Sequence, residues 1–203
     1  WRMTMRLEIE KFDRINHQYY CDGRVIPSVT RILETSNYYK NVDKEILAQA
    51  AARGSLLHQN VAYYIETMDT MNEPLLDKFA KTFDKIHKYI GNVIANEIIL
   101  AAEIKNMRFA GTIDILTDIA VIEIKSNMTN KKLYWLQLAG YSLLAKENNM
   151  SKAKYYIILH VKNNDWEFAI ATGKKLKEYE RIFMLHLQKY YLQEQIKEYF
   201  NKL

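Results

Sequence analysis

The sequence predicts an α/β (α+β layered) fold: a central mixed β-sheet, one of whose hairpins carries carboxylates, flanked by helices. Three observations predict it. Residues 109–125 alternate side-chain character in two runs about a short turn, as a β-hairpin does. Apolar residues recur at helical spacing over 74–90 and again over 174–190. No internal repeat or low-complexity linker interrupts the chain, so residues 1–203 read as one domain with a sizeable core.

In chain order, 3–12 and 18–26 read as strands, the second turning at Asp22-Gly23. Ser28, after Pro27, is the N-cap of a helix whose Val29, Ile32 and Leu33 share helical spacing. Asp43 opens a second helix through Ala52, and Arg53-Gly54-Ser55 starts a third that runs to about Met68. Pro74 sits in the first turn of a fourth, whose stripe is Leu75, Leu76, Phe79, Phe83, Ile86 and Ile90. A strand over 94–104 precedes the hairpin, and 131–148 is helical. Strands over 154–161 and 167–171 turn at Asn163-Asn164. The last helix, from Lys174, carries Leu176, Tyr179, Phe183, Leu187 and Tyr190 on one face.

Composition excludes several classes. Hydrophobic residues at 49% argue against a disordered tail, and no run is apolar enough to span a bilayer. The N-terminal WRMTMRLEIEKF alternates charge and lacks the apolar core of a signal peptide. A lone Cys21 forms no internal disulfide, four-cysteine cluster or zinc ribbon, and fits a reducing compartment. A net charge of +5 is compatible with a polyanionic partner and diagnostic of none.

The hairpin carries the chemistry. Folded symmetrically about Asp118–Ile119, it sets Asp114 across from Glu123 on one face, with Lys125 one step along. Ile113 and Ile115 take the opposite face of the first strand. Facing Cβ atoms lie about 4.5–5.5 Å apart, where like charges repel, so a cation between the acids is the expected resolution. Hard oxygen ligands suit Mg²⁺ or Mn²⁺, as one or two ions. Removing Asp114 is then expected to relieve repulsion in the metal-free protein.

Other residues gather around this pair. His58 is a candidate metal ligand on a helix face with Val61, Ala62 and Ile65, where a half-buried structural histidine is the ordinary alternative. Arg53 and Ser55, placed at a helix start, offer a phosphate site, or in the case of Ser55 ordinary capping. Glu97 is a further acid, with Glu103 its competitor. Gln137 and Tyr141 share a helix face and are candidate substrate-binding residues that contact a phosphate or base, with capping of the packing as the alternative, while Gly140 lets that helix approach the sheet. Tyr134, Trp135, Tyr155 and Tyr156, among lysines, offer stacking surfaces for unpaired bases, with core packing as the default.

With YYCDGRVIPSVTRIL, AAARGSLLH, AGTIDIL, VIEIKS and LQLAGYSLL in this order, the chain resembles the PD-(D/E)XK nuclease superfamily, and within it the RecB-like exonucleases of phages and bacterial repair systems. The resemblance covers most of the chain and implies a restriction-endonuclease-like core. It implies metal ligation by His58, Asp114 and Glu123, water activation by Lys125, and a helical Gln137/Tyr141 pair; the family's upstream glutamate matches Glu97. Ile113 stands where some members carry proline, and no cysteine set for an iron–sulfur cluster is present. No GxxxxGK[ST] stretch exists, so no motor is encoded.

The implied function is a Mg²⁺- or Mn²⁺-dependent DNA exonuclease of recombination, repair or DNA degradation, acting on single strands or duplex ends. The implied setting is the cytoplasm of a bacterial cell or phage-infected host. Some relatives form rings or work fused to motors, and a homo-oligomer or a partner recombination protein is the candidate arrangement for this chain. Alternatives are a structure-specific endonuclease or RNase of the same fold, and a non-catalytic nucleic-acid-binding module.

Overall fold

Three two-residue turns set the strand pairings. Asp22-Gly23, Lys105-Asn106 and Asn163-Asn164 all have both central residues at positive φ, between 50° and 67°. That is the geometry whose twist matches paired antiparallel strands. The protein is described by a computed structural model covering residues 7–13, 16, 18–34, 44–128 and 130–202, with the side chains of 44–53 excluded.

A small sheet comes first: β1 (Lys11–Asp13), β2 (Gln18–Cys21) and β3 (Arg24–Ile26), all antiparallel. Positions 3–6 of the expected first strand, and Asp43, lie outside the described residues. The Ser28 hydroxyl accepts from the Arg31 N–H at 3.0 Å and caps α1 (Val29–Glu34), as expected.

One expectation fails next. The two helices anticipated on either side of Arg53 are a single helix, α2 (Lys44–Thr67). A helix interior tolerates a glycine such as Gly54 at a cost of about 1 kcal/mol. Arg53 and Ser55 therefore occupy no helix start, and their N–H groups lie inside a helix rather than facing a phosphate. In contrast, the stripe after Pro74 breaks in two, α3 (Pro74–Lys85) and α4 (His87–Ile90), around Ile86.

The main sheet has five strands: β4 (Val93–Ile104), β5 (Met107–Thr117), β6 (Ala120–Lys125), β7 (Tyr155–Lys162) and β8 (Asp165–Thr172), in that spatial order. Only β6 and β7 run parallel, and α5 (Lys131–Glu147) makes the crossover between them. The chain's last described helix is α6 (Lys174–Asn201). The result is the mixed-sheet α/β fold that the sequence predicts.

Two cores separate the layers. On one face, α1, α5 and α6 bury Ile32, Leu138, Leu144, Phe183 and Leu187 against Leu116, Val121, Tyr156 and Ile158. On the other, α2, α3 and α4 bury Val61, Phe79 and Ile90 against Ile115, Ile122, Ile124 and Ile157. Burying each such side chain contributes about 1.5–3 kcal/mol. The sheet is thus apolar on both faces, so a charged group within it needs a specific reason. Gly140 serves a different approach from the one expected. A Cβ there would come within 2.8 Å of Phe183 and of Val29, so it is α6 and α1 that approach closely, not the sheet.

Candidate active site

The β5/β6 ladder pairs Ile115 with Ile122 and Leu116 with Val121. Continued one step, that register would set Asp114 across from Glu123, the pairing that the hairpin symmetry predicts, but the paired residues stop at Ile115 and Ile122. There the ladder gives way: the Asp114 carboxylate accepts the Ile124 N–H at 2.7 Å. Strict alternation also fails at this point. Ile113 packs with Leu116 and Val121, while Ile115 packs with Ile122 and Ile124, so the two do not share a face as expected. The irregularity has a counterpart on β4, where Glu97 lies between the Asn96–Ile115 and Ile98–Ile113 pairs with φ of 44°. Such backbone is strained for a non-glycine residue and tends to collect at functional sites.

An open cleft of about 560 Å³ forms here, lined by His58, Glu97, Asp114, Glu123, Lys125, Gln137 and Tyr141 among others. Asp114 and Glu123 are 7% and 1% exposed. His58 reaches in from α2. Its Nε2 lies 3.0 Å from the Ile124 carbonyl, which only accepts, so this nitrogen donates. Its Nδ1 lies 3.2 Å from Asp114 and 3.7 Å from Glu97. Burial pulls the imidazole pKa down, but the Asp114 charge, hydrogen bonds to Asp114 and Glu97, and the Glu123 charge outweigh it, raising it to about 11. Without another cation, the ring is itself the positive charge between the acids.

Glu123 is held from one side. Lys125 Nζ and Gln137 Nε2 (2.8 Å) both donate to its Oε1, while Oε2 is buried with no hydrogen-bond partner among the described residues. Burial and the Asp114 charge push its pKa up, to about 7, against the pull of Lys125 and His58. For Lys125, burial lowers the pKa, yet Glu123 and Asp114 raise it overall. Gln137 Nε2 also donates to the Tyr141 hydroxyl at 2.8 Å. The Tyr141 ring packs over Gly111, where a Cβ would come within 2.7 Å of it. Burial and the acids drive the Tyr141 pKa well up, so it stays a neutral phenol.

The structure thus brings His58, Glu97, Asp114, Glu123, Lys125, Gln137 and Tyr141 to one cleft. Ligand atoms of His58, Glu97 and Asp114 lie within 4.8 Å of one another, and Glu123 is not part of that trio. Ser55 lines the cleft from within α2, and the side chain of Arg53 lies outside the described ones. Glu103 is instead paired with Arg108 at 2.8 Å.

Sequence reasoning missed Tyr19 and Thr112, which join hydroxyls at 2.9 Å on the cleft wall, and Phe12, stacked on Tyr19. Thr112, two residues before Asp114, was the available signal. Of the expected stacking aromatics, Trp135 and Tyr156 are buried and Tyr155 packs on Tyr89.

The donor set fits a hard divalent cation. Three carboxylates and an imidazole line one cleft, and Glu123 Oε2 is buried without a hydrogen-bond partner among the described residues. With Nε2–H donating to the Ile124 carbonyl, Nδ1 is the nitrogen left for a metal, the usual arrangement for a ligating histidine.

Solved structures similar to this chain include exonucleases. They are a candidate exonuclease from Eubacterium rectale (13% identity, 82% of this chain and 74% of that one, TM-score 0.47) and a phage-related exonuclease from Haemophilus somnus 129PT (12% identity, 85% and 96%, TM-score 0.39). A further similar solved structure is that of SSO0001 (14% identity, 77% and 83%, TM-score 0.32). No protein-family model matches the chain, and neither does any curated protein. The likeness is one of α/β layout, and the functional reading rests on the side chains of the cleft.

Proposed function

We propose that the protein is a divalent-metal-dependent nuclease of the PD-(D/E)XK type that hydrolyses phosphodiester bonds, acting as a DNA exonuclease. The observation that carries this reading is the Oε2 of Glu123, buried without a hydrogen-bond partner among the described residues, on an acid that lines the same cleft as Asp114 and His58, with the Lys125 ammonium adjoining. A binding-only module need not keep acids set together in an apolar sheet, where burying charge is costly.

Asp114, Glu123 and His58, with Glu97 beside them, would hold one or two Mg²⁺ or Mn²⁺ ions. When bound, such an ion supplies positive charge to the phosphoryl oxygens and acidifies water. Lys125 orients the attacking water or meets charge developing at phosphorus. Gln137 keeps Glu123 turned to the cleft, and Tyr141 fixes Gln137 in turn. Ser55, on the cleft wall, is left as a contact to the nucleic acid from α2.

The test uses linear and circular single-stranded DNA with Mg²⁺, and EDTA as control. Shortening of the linear strand with the circle intact supports an exonuclease. Cutting of the circle makes it an endonuclease, and no Mg²⁺-dependent cleavage of DNA or RNA overturns the enzyme reading.

A further inference from the structure

Tyr134, Gln137 and Tyr141 lie three and four residues apart, along one face of α5. Two of them serve Glu123: Gln137 binds it, and Tyr141 binds Gln137. The third meets the amine instead. The Tyr134 ring centroid is 4.9 Å from Lys125 Nζ, within cation–π range. We propose that Tyr134 is a positioning residue whose ring face holds the Lys125 ammonium at the cleft while Glu123 is engaged by a cation. The inference rests on the nuclease reading of Lys125.

Lys125 is a long, flexible side chain at the end of β6, and a reacting group needs fixed geometry. Its other holder, Glu123 Oε1, is shared with Gln137. A divalent ion drawing on Glu123 competes with the ammonium for that carboxylate. An aromatic face carries no net charge, so it attracts the ammonium without competing for the ion as a carboxylate does. The same ring is a candidate base platform by sequence, but Lys125 occupies its neighbourhood. The two roles differ in what they change: a base platform governs binding, and a lysine holder governs turnover.

The test begins with NMR of the metal-free wild type, where the ring current of Tyr134 is expected to shift the Lys125 Hε signals upfield. Tyr134→Leu should abolish that shift and lower kcat on linear DNA roughly tenfold at unchanged KM. Tyr134→Phe, which keeps the ring, should restore both. An unshifted Lys125 signal in the wild type overturns the inference without recourse to any variant. So does a Tyr134→Leu protein with wild-type kcat beside an inactive Lys125→Ala, or one in which KM rises and kcat holds. A fully active Lys125→Ala protein overturns this inference and the nuclease role of Lys125 together.

Discussion

Gln137 donates to the Glu123 oxygen that Lys125 also holds, leaving the other oxygen of the carboxylate buried with no partner among the described residues. The amide therefore fixes the orientation of an acid it does not neutralise. Gln137→Leu is expected to keep the fold and to lower Mn²⁺ affinity and kcat/KM by about 10–100-fold, the range for lost partners of metal ligands. Calorimetric Mn²⁺ titration with steady-state cleavage checks this.

Asp114 is more than half of a repulsive pair. Its carboxylate caps the buried Ile124 N–H and partners His58. The structure therefore reverses the expectation that removing it relieves the metal-free protein. Asp114→Ala should lose about 1–3 kcal/mol of stability, from the stranded donor alone. Asp114→Asn, which keeps an acceptor, should lose less. Urea unfolding in EDTA measures both.

The pH dependence of the metal-free protein follows from two raised pKa values. Glu123 titrates near 7 when folded and near 4.5 otherwise, so its contribution is full below about 4.5 and is lost as pH rises through 7. His58, raised from 6.5 to about 11, contributes fully below 6.5 and loses that contribution as pH climbs toward 11. In EDTA the urea midpoint should fall between about pH 5 and about pH 9. Added Mn²⁺ should flatten or reverse the slope, because metal ligands bind in their deprotonated forms. A midpoint rising with pH in EDTA would contradict the electrostatics described here.

Gly140 sits where two fully buried side chains, Phe183 and Val29, leave no room for a Cβ. Alanine has the better helix propensity by about 1 kcal/mol. Overpacking in a rigid core costs about 1–3 kcal/mol, so Gly140→Ala should be neutral to destabilising, never stabilising. Urea unfolding decides it.

Much of this was legible from residues alone because period-two patterning and turn chemistry are local. The pairing of Ile115 with Ile122 and of Leu116 with Val121 follows from the hairpin's symmetry, and Asp22-Gly23 and Asn163-Asn164 announce their turns. Lys105-Asn106 was not anticipated, since lysine carries no preference for positive φ. The sequence reads as two helices around Arg53 where the structure has one, because a mid-helix glycine resembles a break when packing is unknown. Least legible was the kink at Glu97 and Asp114, because both residues leave regular strand geometry only in the context of the site they build. The placement of Tyr134 under Lys125 depends on how α5 crosses from β6 to β7, which spacing does not encode.

The most direct test of a cation held between these acids is Mn²⁺ binding followed by electron paramagnetic resonance, in the wild type and in Glu123→Gln. The wild type should bind one or two ions and cleave linear DNA; Glu123→Gln should fold, bind more weakly and cleave little. Equal binding and equal cleavage in the two proteins would contradict the account.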